Sequence, residues 1–530
     1  MGYSEAYCHL CGVSFNIGRH RAVGEPLVAT FGGEDGLGTD PADLDLAACA
    51  EKGCVFALRP PDDPDDDQQA EEPYESDSDY DSSDAMSLPD DNNSNHLQTP
   101  STDEALYHTF LSNTLRTANP RDYAGEPVAL FAAATTKQTD TLIPIPIPSA
   151  PESPPDDLEH IPAPTCGSDP TAYPGSAISL AEMRGCRTAQ FLIHKSQAAE
   201  PWRPDGLHED WEVTGDWFLS GLCDGMRSRD CGFPDVWPAR GGVRTVRADN
   251  VTFQPVDPHE IAMPIHPWCL DIFIRQSKQH FQKVDLDKLF NWRNSEFSYE
   301  EFHAFPRAAD VFEARERWWN HVPGKEYLAA NPLYVPGLPG LLAEATQQKS
   351  GSRGLDDGQQ KTAVSCDPLG SLPLDLRLHL VGFLGAEDLA ALRAASRAFT
   401  DLPNSVWYRL VREEMPWLWE AWGAVGMEEH TPSWWTTVTV REARFMYEAR
   451  KHYAEVLRDE SPDDQGLVDY LAPRPVGVPE LVKLEKATTD WHYVYTQIKS
   501  RWGRLKGLRN RQRIWLDVEE IIRRMQVAEG

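Results

Sequence analysis

The sequence predicts a mixed α+β N-terminal and central region with disordered insertions, followed by a mainly α-helical C-terminal half that contains a three-helix module. Three observations predict it. A content of 41% hydrophobic residues with 17 Trp over 530 positions supplies material for sizeable cores. Stretches poor in apolar residues cut the chain into separate pieces. Leucines recur at helical spacing after residue 370. A net charge of −33 repels phosphate backbones and anionic headgroups, so a nucleic-acid or membrane-surface partner would need a segregated basic patch. No apolar run approaches the roughly 18 residues of a spanning helix. The opening MGYSEAYCHLCG lacks a basic start followed by an apolar stretch, so a cytoplasmic or nuclear location and no membrane partner are expected. Gly2 is no myristoylation signal, because Ala6 stands where the motif takes Ser or Thr.

In chain order, residues 1–59 form an N-terminal segment with a Cys-x-x-Cys pair. Residues 60–103 form an acidic segment with no Lys or Arg and almost nothing aliphatic to bury, so ordering it would cost backbone entropy for little return. Ser76, Ser78, Ser82 and Ser83 stand there among carboxylates, as acid-directed kinases prefer, but the run is read as a solvated spacer. Residues 104–142 are a short ordered or semi-ordered piece, and 143–175, with IPIPIPSAPESPPDD, a Pro-rich extended linker. A central α+β domain follows at 176–342, a polar Gly/Gln/Ser linker at 343–367, the three-helix module at 368–415, and a helical Trp-rich region at 416–530. No repeat of solenoid or propeller period is present.

The module reads GSLPLDLRLHLVGFLGAEDLAALRAASRAFTDLPNSVWYRLV from Gly370. Pro373 suits a first helical turn and Gly385 a helix stop, with Leu376, Leu380, Phe383 and Leu384 on a stripe between them that Leu374, Leu378 and Val381 widen. Glu387 and Asp388 favour the N-terminus of a second helix carrying Leu389, Leu392, Ala395 and Phe399. Asn404 and Ser405 are candidate caps of a third helix, which begins at Val406 and Trp407 and buries Leu410. About 40 residues are too few for an independent core, so a partner or the flanking domains must cover the surplus apolar surface. Leu-Pro-x-acid-Leu, a helix ending Phe-Leu, then Asp-Leu-x-x-Leu-x-x-x-Ser-Arg and a following Trp resemble the F-box. The resemblance implies a module that binds Skp1, and through it a cullin, in a ubiquitin ligase. Leu372, Pro373, Leu376, Leu380, Val381, Leu384, Leu389, Leu392 and Trp407 match the family's apolar positions, some facing Skp1 and some forming the module's own core. Arg377 departs from the aliphatic residue common there, and its stem can still cover apolar surface.

Ten cysteines over 530 residues are too sparse for a disulfide scaffold, and in a reducing compartment paired cysteines point first to metal. Cys8-His-Leu-Cys11-Gly has the two-residue gap and following Gly of a zinc knuckle, which is half a tetrahedral site. Candidates for the other half are Cys49 with Cys54, His20, Cys223 with Cys231, and His266 with Cys269. The last pair is preferred, because Pro267 marks a helix start and ligands three residues apart in the first turn face one way. Cys8, Cys11, His266 and Cys269 then resemble a treble clef with a long insertion and would hold one structural zinc. A site using Cys49 and Cys54, or no metal at all, stays open.

WEVTGDWFLSGLCDGMRSRDCGFPDVWPARGGV, HPWCLDIFIRQS and GLRNRQRIW resemble filamentous-fungal F-box proteins with an N-terminal Cys-x-x-Cys and a central His-Pro-x-Cys. The Trp and Gly there are read as core and turn residues. The resemblance names no cargo, and the protein substrate stays unknown. Lys499, Arg501, Arg504, Lys506, Arg509, Arg511 and Arg513, interleaved with Trp502, Leu505, Leu508, Ile514 and Trp515, form a helical pattern with a basic face. RNA binding by that face, or a scaffold that works without a cullin, are the rival readings. No Gly-rich phosphate loop, paired-carboxylate site, nucleophile elbow or RING spacing is present, so no enzyme is expected.

Overall fold

The structure is a computed structural model that describes residues 6–25, 29–32, 44–58, 145–147, 158–167, 170–205, 207–225, 234–240, 262–296, 304–315, 319–347, 367–422, 433–436, 438–440, 442–444, 446–447 and 482–527. The acidic segment 60–103, its four serines, Cys231 and the linker residues 348–366 lie outside the described residues, as does 104–142.

An N-terminal turn, bridged between Tyr7 and Ser14, runs into β1 (Gly18–His20), which pairs in parallel with β5 (Ala172–Pro174). Helix α1 (Leu46–Lys52) is capped by Asp45 and closed by Gly53 at φ +81°, a left-handed turn that favours glycine. It leads into β2 (Val55–Leu58), the centre of a three-stranded antiparallel sheet between β3 (Ile145–Pro146) and β4 (Leu158–Ile161). A second antiparallel sheet has the order β7 (Trp217–Asp224), β6 (Thr188–His194), β8 (Met263–Ile265), preceded at β7 by the short helix α2 (Asp210–Thr214). Trp217 stacks on Phe290, with ring centroids 3.6 Å apart, and a Cβ at Gly221 would collide with the backbone of Trp237 and Pro238. Core and close-approach chemistry thus accounts for Trp217 and Gly221.

Helix α3 (Pro267–Phe281) opens with Pro267 at its first position and is buried on every side from Pro267 to Ser277, so it runs through the core. After it come α4 (Leu286–Ser295), α5 (Ala309–Ala314), α6 (Leu338–Gln347), the module helices α7 (Leu374–Val381), α8 (Ala386–Ala395) and α9 (Asn404–Glu414), then α10 (Trp491–Ser500) and α11 (Lys506–Val527), of which α11 packs against α3. One apolar core includes side chains from Ala6 to Met525. A separate satellite core consists of Leu44, Leu46, Cys49, Cys54, Phe56, Ile147, Leu158, Ala163 and Cys166. A buried pair of Arg21 and Glu159, 2.6 Å apart, fastens β4 of the satellite to the region just after β1.

Several sequence expectations are corrected. The 143–175 stretch is not simply a free extended linker: it supplies β3, β4 and β5. Its prolines permit edge-strand positions, and pairing with β1 and β2 satisfies the neighbouring backbone. The polar linker begins later than residue 343, since Ala343–Gln347 form the last turns of α6. Helix α7 stops at Val381 rather than Gly385, because Arg409 donates hydrogen bonds to the carbonyls of Val381 and Leu384 and so satisfies the helix end three residues early. Gly385 instead precedes α8 as its cap residue. Asn404 does not cap α9. Its side chain accepts from the N–H of Trp491 at 2.8 Å and donates to the carbonyl of Thr489 at 2.6 Å, closing the start of α10. The basic run is also broken by a turn between α10 and α11, and its face is partly internal. Arg511 is buried against Glu420 at 3.0 Å and lies over the Trp419 ring, Arg513 pairs with Asp517, and Lys506 pairs with Glu182.

Candidate metal centre

The N-terminal knuckle is built by backbone geometry. Cys8 N–H donates to the Val13 carbonyl at 2.9 Å and Gly12 N–H to the Cys8 carbonyl at 2.7 Å, curling residues 8–12 so that two thiols converge. Gly12 sits at φ +70°, and a Cβ there would stand 2.4 Å from Nε of Arg307, so both torsion and space require glycine. The opposing half comes from the start of α3. Cys269 N–H donates to the His266 carbonyl at 2.9 Å, which places these two ligands on the first helical turn. The short strand β8 delivers this helix start to the knuckle, and His9 N–H is anchored on the Pro264 carbonyl at 3.1 Å.

Cys8, Cys11, His266 and Cys269 are all buried, and their ligand atoms lie within 4.8 Å of one another. The distance from Cys11 Sγ to His266 Nδ1 is 3.6 Å. Metal–ligand lengths of about 2.3 Å for sulfur and about 2.0 Å for nitrogen require a tetrahedral edge of roughly 3.5 Å, so the donors fit one ion. The other ring nitrogen, Nε2 of His266, faces the Cys186 carbonyl at 3.0 Å. A proton held there leaves Nδ1 as the lone-pair donor, the second-layer contact that orients metal-bound imidazoles. Phe15 and Trp268 pack on the ring, with centroids 4.5 and 5.1 Å away, and His266 N–H points at Cys8 Sγ at 3.4 Å.

The protonation pattern belongs to donors competing for one another's protons. For Cys11, burial raises the thiol pKa, but the adjacent Cys269 and Cys8 thiols and His266 outweigh it and hold Cys11 well below its usual value. Cys269 is pushed well above, by burial first and then by Cys11 and Cys8. Burial opposes charge on His266, yet Cys8 and Cys11 raise it to about 10. A dication among them resolves the conflict by stabilising thiolates beside a neutral imidazole. Two guanidinium groups surround the knuckle: Arg307 donates to the carbonyls of His9 and Leu10 at 2.9 and 3.2 Å, and Arg513 to that of Cys11 at 2.8 Å. Three thiolates holding one dication would carry a net negative charge, which these two cations would offset in a buried site. Four protein donors with no face open to solvent describe a structural site, not a catalytic one.

The other sequence candidates fall elsewhere. Cys49 and Cys54 do not complete the knuckle but meet His160 and Cys166, forming a second four-donor group. Each of the two cysteine pairs thus stands in a four-donor group of its own. His20 lies in β1 with its ring 6.3 Å from that of His160, and Cys223 in β7 directs its thiol to the Gly225 carbonyl at 3.5 Å. All eight cysteines among the described residues are buried thiols outside any disulfide. Sequence reasoning missed His160, Cys166, Arg307 and Arg513. The His-x5-Cys spacing at 160–166, in a stretch otherwise short of chemistry, was the available signal for the first two; nothing local marks the arginines.

The module positions divide into two sets. Val381, Leu389 and Trp407 are buried in the main core, with Leu372, Leu384 and Leu392 half-buried. Pro373 is exposed, and Leu374, Leu376, Leu380 and Phe383 are 49%, 54%, 37% and 77% exposed. Arg377 donates to the Ala398 carbonyl at 2.8 Å, tying α7 to the turn after α8.

No protein-family model matches the chain, and no solved structure does. A stretch of 58 residues, 11% of the chain, is 45% identical to an ATP-dependent RNA helicase, mss116, mitochondrial, of Aspergillus oryzae, and covers 9% of that protein. The chain thus spans about a tenth of the curated relative it matches, and the likeness is confined to that short stretch.

Proposed function

We propose that the chain is a non-catalytic adaptor of a Skp1–cullin–F-box ubiquitin ligase, binding Skp1 through the module at residues 368–415 and an unidentified protein cargo through the flanking regions. The observation that carries this reading is the apolar surface of Leu374, Leu376, Leu380 and Phe383, on helices whose sequence resembles the F-box. Leu376, Leu380 and Phe383 follow one another at four- and three-residue steps and form one face of α7 and its end. Val381, Leu389 and Trp407 root the same helices in the core, so the face is presented on a fixed support. A contiguous apolar surface of this kind is what a protein partner covers. In the same reading, Cys8, Cys11, His266 and Cys269 hold one structural zinc that keeps the N-terminus docked on the support. The short helicase likeness brings no helicase chemistry, since the sequence has no Gly-x4-Gly-Lys-Ser/Thr phosphate loop.

Binding of purified Skp1 by calorimetry tests the adaptor reading. The parent is expected to bind, and Leu376→Asp with Leu380→Asp to weaken binding at least about a hundredfold, or about 2.8 kcal/mol. A parent that ignores Skp1, or binding untouched by these substitutions and by Leu372→Ala/Pro373→Ala, would defeat it.

A further inference from the structure

The satellite core is built around groups that should not be left alone in an apolar interior. Cys49 stands near the end of α1, and the left-handed Gly53 returns the chain so that Cys54 N–H reaches the Cys49 carbonyl at 3.1 Å. The β2–β4 register sets Phe56 opposite His160, which puts the imidazole on the face that Cys54, two residues before Phe56, also shares. Cys166 closes the group from a turn in which its N–H donates to the Ala163 carbonyl at 2.9 Å. Ala163 N–H in turn points at Cys54 Sγ at 3.3 Å, as backbone amides do around metal-bound thiolates.

All four side chains are buried, and their ligand atoms lie within 4.8 Å of one another. Cys49 Sγ and Cys166 Sγ are 3.9 Å apart. That is close to the roughly 3.8 Å edge of a tetrahedron with metal–sulfur bonds of about 2.3 Å, and far from the roughly 2.05 Å of a disulfide. Both ring nitrogens of His160 are buried with no hydrogen-bond partner among the described residues. A buried orphan imidazole costs free energy unless something accepts its lone pair. The apolar complement is Leu44, Leu46, Phe56, Ile147, Leu158 and Ala163, too small a set to order two segments separated by residues 59–144.

We infer that Cys49, Cys54, His160 and Cys166 hold a second structural zinc ion, and that this ion completes the satellite core. Three thiols lose their protons on binding, the imidazole supplies a neutral nitrogen, and no redox partner is involved. The soft sulfur donors exclude calcium and magnesium, and full burial with four protein donors leaves no position for a substrate. The ion clips 44–58 to 145–166. The inference stands apart from the Skp1 reading.

Zinc content of the full-length chain, purified without chelator, is the test. The parent is expected to carry about two zinc ions, Cys49→Ser and His160→Ala about one, and His160→Cys about two, because a thiolate can replace the imidazole as ligand. Cobalt substitution should show the thiolate charge-transfer absorbance of Cys49→Ser at about half that of the parent. A Cys49→Ser protein with the same zinc content as the parent would overturn the inference, as would a Cys49–Cys166 disulfide in protein kept reduced. One zinc in the parent and none in Cys49→Ser would uphold this site and remove the one at the knuckle.

Discussion

At the scale of single residues, the instructive case is Arg513. It lies 502 positions from Cys11 and nevertheless donates to its carbonyl, while also pairing with Asp517 at 3.0 Å and reaching Asn510 Oδ1 at 2.7 Å. All of these groups are buried, so removing the guanidinium strands a carboxylate and a knuckle carbonyl together. Arg513→Ala is expected to cost about 3–5 kcal/mol, the range for breaking one partner of a buried pair, read as a lowered urea midpoint at saturating zinc. A change below about 1 kcal/mol would show that the pair is not worth what its burial implies. Asn404 presents the same logic on a smaller scale. Its two hydrogen bonds hold the entry to α10, and Asn404→Ala should cost about 1–3 kcal/mol by leaving the Trp491 N–H and Thr489 carbonyl unmet. Both side chains were visible in the sequence only as a helical arginine and a candidate cap. Their partners lie far off in the chain, where spacing rules do not reach.

At the scale of elements, the proposed docking role falls on α7 and a folding role on α8. Leu376 on α7 faces solvent, whereas Leu389 on α8 is buried. Leu376→Asp should leave the unfolding free energy within about 0.5 kcal/mol of the parent while weakening the proposed Skp1 binding. Leu389→Ala should cost about 2–5 kcal/mol through the cavity it leaves. Equal destabilisation by both would mean that Leu376 is a core residue after all. The stripe of apolar residues was legible from periodicity, but which of them turn inward was not. Periodicity specifies one face of an isolated helix; the main core selects Val381 because Arg377 and Arg409 anchor α7 to its neighbours in that rotation. The start of α3 shows the opposite situation. Proline at the first position and two ligands one turn apart are local rules, so the His266–Cys269 half-site could be read directly.

At the scale of the whole molecule, the knuckle and α11 belong to one core, joined through Arg513 and through Gln276 of α3, which donates to the Trp515 carbonyl at 2.7 Å. Stripping the zinc proposed at the knuckle should therefore loosen 506–527 as well as 6–25. Ligand linkage gives about 4 kcal/mol where free zinc exceeds its dissociation constant a thousandfold, so a strong chelator is expected to lower the thermal midpoint and to speed amide exchange in 506–527 as well as in 6–25. Exchange confined to 6–25 would show that the site holds only its own loop. Composition, the Cys-x-x-Cys and His-Pro-x-Cys halves, and the helical module were determined by sequence alone, because each follows from neighbours within a few residues. Which halves meet was decided by tertiary structure. Two knuckle thiols had several possible partners, and chain connectivity alone does not choose among them. The β8–α3 junction brings one pair to the knuckle, and the β2–β4 register sends Cys49 and Cys54 to His160 and Cys166. Likewise, the pieces Ile145–Pro146, Leu158–Ile161 and Ala172–Pro174 of the Pro-rich stretch are strands because pairing and burial outweighed an intrinsic preference to stay extended and free.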